Sequence, residues 1–66
     1  GNVQIIIYDI LGRKVNELIN EEKNTGKYSV TWYGKDNNDN NVSSGTYFYQ
    51  IISENNIQTK KMVLLK

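Results

Sequence analysis

The stretch Asp36-Asn37-Asn38-Asp39-Asn40-Asn41 carries the densest set of oxygen donors in the chain. Asp36, Asn38 and Asn40 stand at positions one, three and five of a calcium-binding loop, where a turn brings carboxylate and amide oxygens onto one hard cation. Such a loop also needs glycine at its sixth position and a bidentate glutamate at its twelfth. The sequence supplies Asn41 and Tyr47 instead. The segment therefore reads first as a solvated turn, with Asp36, Asn38 and Asn40 a weak candidate for a cation and no cofactor expected.

Other chemistries lack parts. There is no histidine and no cysteine. That removes the commonest acid/base catalyst and any thiolate ligand or nucleophile. Ser43 and Ser44 have no base to activate them, so nucleophilic catalysis is not expected and the chain is not read as an enzyme. The aromatics Trp32, Tyr33, Tyr47, Phe48 and Tyr49 could stack on sugars, but their alternation places most of them in a core. Asn41-Val42-Ser43 matches a glycosylation acceptor, a motif too short to carry weight. The net charge is +1 and the lysines are scattered, unlike the clustered face of a nucleic-acid binder. No apolar run approaches the roughly 18 residues of a membrane-inserted span. Lys60, Lys61 and Lys66 read as a solvated edge, since lysine on an edge strand guards against sheet-to-sheet aggregation.

The elements that would position these residues are β-strands. The 66 residues make a single domain, 1–66, which buries only about 60% of its unfolded surface. Ile, Val, Thr, Tyr, Phe and Trp suit a pleated, half-buried surface, and five extended segments alternate with turn signals. Val3–Asp9 is apolar on both faces and is expected to be a central strand. Ile10 and Leu11 then fit the centre of a turn, with Gly12 in the left-handed conformation and Arg13 and Lys14 facing water. Lys14–Ile19 is the second strand, although Val15, Leu18 and Ile19 also fit a helical turn. Asn20–Gly26 is a polar loop. Lys27–Tyr33 is the third strand, with Tyr28, Val30 and Trp32 on one face and Trp32 at the centre of the core. Gly34–Gly45 is a long loop anchored by Val42. Thr46–Ser53 and Ile57–Leu65 are the fourth and fifth strands, joined by a hairpin at Glu54–Asn56. The pattern predicts an all-β fold, an antiparallel β-sandwich or one half of one. A chain that opens on Gly1 rather than Met is read as a fragment of a longer protein.

The ordered segments "IIIYDILGRKV", "GKYSVTWYGKDNNDNNVSSGTYFYQI" and "TKKMVLLK" resemble the C-terminal sorting domains of the type IX secretion system of the Bacteroidetes. The same pattern shades into the immunoglobulin-like domain of flagellar hook-capping proteins. Tyr33 stands where that family usually has Asp, and Asp39-Asn40-Asn41 replaces Gly-Asn-Pro. The family's strand preceding Val3 is absent, so an exposed edge and homo-oligomers by edge-strand pairing are expected.

The resemblance implies an immunoglobulin-like sandwich of about five strands here. It also implies a non-catalytic export address, secreted or surface-attached through the periplasm. The translocon and the surface-attachment machinery would be its partners. The recognition role would fall to Lys60, Lys61, Met62, Val63, Leu64, Leu65 and Lys66, read by strand addition. Gly12, Gly26 and Gly45 would hold turns, and Tyr28, Trp32 and Tyr47 the core. The alternatives are a structural immunoglobulin-like spacer of the hook-capping kind and, third, a carbohydrate-binding module.

Overall fold

A computed structural model of the chain describes residues 1–22 and 30–66. Among the described residues there are four strands: β1 (Asn2–Asp9), β2 (Lys14–Glu22), β3 (Gly45–Ser53) and β4 (Asn56–Leu64). They form one sheet in the order β2-β1-β3-β4, and every neighbouring pair is antiparallel. No helix among the described residues is long and apolar enough to cross a membrane.

The strand count is four rather than five, and no second sheet appears among the described residues. The expected third strand accounts for the difference. Val30–Tyr33 run without strand pairing, and the rest of that segment, Tyr28 included, lies outside the described residues, as does Gly26. The alternation of Tyr28, Val30 and Trp32 gives one apolar face, but a strand also needs a ladder partner. Trp32 and the residues after it form their bonds through side chains and turns instead.

β1 is an inner strand, as its two apolar faces require. Ile5 and Ile7 share a face with Ile51 and Tyr49 of β3, while Ile6 sits opposite Gln50 on the other face. Val3, Ile6, Ile7 and Tyr47 are the buried apolar residues. Ile7 is the best buried at 1% exposure, so it, and not Trp32, is the centre of the core. Trp32 is half-buried and rests edge-on against Tyr47, with ring centroids 5.0 Å apart.

β2 runs three residues further than expected, to Glu22, and is irregular. Its register with β1 shifts twice, between Ile5 and Ile6 and again between Ile7 and Tyr8. Val15 and Leu18 are the residues skipped. Each bulge adds one residue to the strand and resets which face the next side chain takes. This is why Val15, Leu18 and Ile19 show helix-like spacing and yet belong to a strand.

The β1–β2 connection forms as the sequence requires. The Gly12 amide donates to the Asp9 carbonyl at 3.0 Å, the Asp9 amide donates to the Arg13 carbonyl at 2.9 Å, and Gly12 has φ +82°. The Asp9 side chain then locks the corner. Its Oδ1 accepts from the Leu11 and Arg13 amides at 3.0 and 2.9 Å, and its Oδ2 pairs with Arg13 Nε at 2.8 Å. The Arg13 amide is the main reason the Asp9 carboxyl sits below its ordinary value of 3.8. The Arg13 guanidinium and the Leu11 amide add to this, against the opposing effect of partial burial.

Two predictions follow from this packing. Ile7→Ala removes the best-buried side chain and is expected to cost about 3 kcal/mol in urea unfolding. Ile10→Ala, at a residue 67% exposed, is expected to cost less than about 0.5 kcal/mol. Equal costs at the two sites would contradict the placement of the core. Asp9→Asn is expected to lower the melting temperature at neutral pH. A depressed carboxylate stabilises the fold above its ordinary value and loses that contribution as pH falls through its lower native value. The gap between the parent chain and Asp9→Asn should therefore be full above 3.8 and narrow as the acid limb is entered. A gap unchanged in acid would show that the corner does not depend on the charge.

Candidate functional site

The polar loop that contains Asp36 folds back on itself. Lys35 and Asn41 bridge, and the Asp36 amide donates to the Asn40 carbonyl at 2.9 Å. Asp36 Oδ1 accepts from the amides of Asn38 and Asn40, each at 2.9 Å. The carboxylate oxygen that would lead a cation site is thus the cap of its own turn. Such Asx caps are a common use of aspartate in loops. Asn38 and Asn40 enter through their backbones, and Asp39 takes the left-handed turn at φ 63°. Among the described residues, no three carboxylate, histidine or cysteine side chains converge on one point.

The same loop lies along the outer edge of β2. The Asn37 amide donates to the Val15 carbonyl at 3.1 Å, and Asn37 Oδ1 accepts from the Glu17 amide at 3.2 Å. The Lys35 carbonyl accepts from both Asn16 Nδ2 and Trp32 Nε1, each at 2.8 Å. The loop, read from sequence as a solvated turn, therefore supplies partners that an edge strand otherwise lacks. Asn37 meets both needs of the edge, donating through its backbone amide and accepting through its side-chain oxygen. The two bulges of β2 fall at the same edge and further spoil it as a template.

β4 is the opposite case. Its register with β3 runs without a shift from Gly45–Leu64 to Ser53–Asn56, and among the described residues its other side carries no strand. Most of the residues assigned a recognition role lie here. Lys60 and Lys61 are exposed, Met62 and Leu64 are half-buried, and Val63 is 63% exposed. Leu65 lies past the end of the strand at 85% exposure. Lys66 is held: its amide donates to Ser44 Oγ at 3.1 Å and its Nζ lies 3.4 Å from the Gly34 carbonyl.

Gly34 was not among the glycines that sequence reasoning assigned to turns, yet it is packed more closely than Gly12 or Gly45. It is buried at φ +72°, and a Cβ there would meet Leu64 Cδ2 and Lys66 Cε, each at 3.2 Å. Glycine is needed for both reasons, the backbone angle and the close approach of the chain's last residues. Gly45, by contrast, opens β3 with free space around it.

One face of the sheet bears a cavity of about 580 Å³, lined by Ile5, Ile7, Leu18, Trp32, Ile51 and Met62 among others. Trp32 therefore presents one side to this apolar groove, while its indole N–H is spent on the Lys35 carbonyl. Tyr33 is 77% exposed beside it. The groove was not foreseen, because it depends on how far Val30–Tyr33 stand from the sheet.

Near the start of β3 the Tyr47 hydroxyl donates to the Ser43 carbonyl, four residues upstream, at 2.6 Å. A buried tyrosine whose hydroxyl reaches back to nearby backbone is a corner device of immunoglobulin-like domains. Comparison with curated proteins and with solved structures finds no match to the chain. The family described as the FlgD Ig-like domain matches residues 1–56, from the start of the chain into β4. With that match, the antiparallel sheet and the tyrosine corner together, the chain belongs to the FlgD Ig-like domain family.

Proposed function

We propose that the chain is a non-catalytic structural module of the hook-capping type, a compact immunoglobulin-like unit within a longer protein. The family match carries this reading. The chemistry-bearing side chains support it, because they are already committed to holding the fold. Asp9 and Arg13 clamp a hairpin, Asp36 caps a turn, and the Trp32 and Tyr47 donors reach backbone carbonyls. What such a module offers other molecules is shape and sheet edges.

Type IX sorting is the second reading, and one feature favours it. The segment from Ile57 to Lys66 lies beyond the matched residues and contains the lysine-flanked strand that resembles the sorting signal. On that reading the domain is gripped by the outer-membrane translocon, and its cargo is secreted or held at the cell surface.

A fusion experiment separates the two. The domain is placed behind a periplasm-directed fluorescent passenger in a host that has type IX machinery. The structural reading expects the passenger to stay in the periplasm, and to behave identically when residues 59–66 are removed. Surface delivery that is lost on that deletion would overturn the structural reading in favour of sorting.

A further inference from the structure

Going beyond the structural role, we propose that the outer edge of β4 docks an extended segment of another protein, one that places carboxylates opposite Lys60 and Lys61.

The two edges of the sheet are not equivalent. β2 is bulged at Val15 and Leu18, and Asn37 occupies its backbone groups at Val15 and Glu17. β4 has nine residues in unbroken register, and among the described residues no strand pairs with its other side. A long, regular, unpaired strand is a template for strand addition. The turn at Glu54–Asn55 closes on the pair Ser53–Asn56. In a two-residue hairpin the closing pair is hydrogen-bonded, and bonded and non-bonded pairs alternate from there. The backbone groups of Ile57, Thr59, Lys61 and Val63 therefore point away from β3, toward an incoming strand.

The side chains select the occupant. Lys60 and Lys61 are adjacent, so they lie on opposite faces, and both are exposed. Neither takes part in an ion pair among the described residues, whereas Arg13 and Lys14 do. Ile57 and Val63, each 63% exposed, flank Lys61 on its face. A second copy of β4, paired antiparallel about the middle of the strand, would set Lys60 against Lys60. Like charges directly opposite one another are destabilising. The lysines thus repel self-pairing while leaving the backbone open, the repulsive half of a specificity device. The segment that fits is apolar at its ends and carries two adjacent carboxylates at its centre.

The probe is the capped octapeptide Val-Thr-Val-Glu-Glu-Val-Thr-Val, with a twin that has Lys-Lys at its centre. Binding to the chain is measured by calorimetry, and amide exchange by NMR. The expected result is at least about fivefold tighter binding of the glutamate peptide, from two opposite-charge cross-strand pairs. Exchange should slow at Ile57, Thr59, Lys61 and Val63. The double variant Lys60→Glu, Lys61→Glu should reverse the preference. Lys61→Pro removes an outward N–H while sparing the β3 ladder, and should abolish binding with the fold retained. Equal binding of the two peptides, protection that falls on β2, or dimers of the chain alone that protect the same four amides would each overturn the proposal.

Discussion

Burial of Ile7 is the interaction on which the rest of this small sheet depends. Sixty-six residues without a disulfide must find their stability in apolar contact. Among the described residues, the only side chain almost wholly removed from water is that of Ile7 in β1. β1 must therefore be an inner strand, with β2 on one side and β3 on the other, and it must be apolar on both faces. Tyr47 and Trp32 extend that contact toward one end of the sheet. The Asp9 corner serves it by fixing where β2 returns, so that Asn16 comes opposite Ile7 and Ile19 opposite Ile5.

A single sheet has two edges and two faces to manage, and this chain treats them unequally. The β2 edge is protected by irregularity and by a loop that donates and accepts in place of a strand. The β4 edge is left regular and carries the exposed charges of Lys60 and Lys61. The end of the chain folds down onto Gly34 and Ser44, which ties the strand's exit to the long crossover between β2 and β3. Glycine at 34 and the polar loop after it thus join the two ends of the sheet through one connection.

Much of this was legible in the sequence where the signal is local. Gly12 after Ile10 and Leu11 specified the first hairpin, and the double-faced run Val3–Asp9 specified an inner strand. The Asp9 clamp was missed, although an Asp and an Arg four residues apart around a turn glycine were visible. β2 was read with the wrong length because bulges break the period on which strand reading rests. Val30–Tyr33 show the limit of alternation, which marks a face but cannot supply a ladder partner. The roles of Asn37 and Gly34 depend on contacts made across many residues of chain, to Val15 and Glu17 in one case and to Leu64 and Lys66 in the other. No local pattern encodes those. The last strand was legible too, although it spans Asn56–Leu64 and leaves Leu65 and Lys66 outside it, but the contrast that makes its edge distinctive needed the other edge to be seen.

Native-state hydrogen exchange of the free chain is the most direct test of the central claim. If the fold rests on Ile7 and the β1–β3 pairing, the slowest amides lie in the middle of β1 and β3 and exchange only through global unfolding. The outward amides of β4 should exchange far faster. Amides of β1 that exchange as readily as those of β4 would show that the sheet is not organised around that residue.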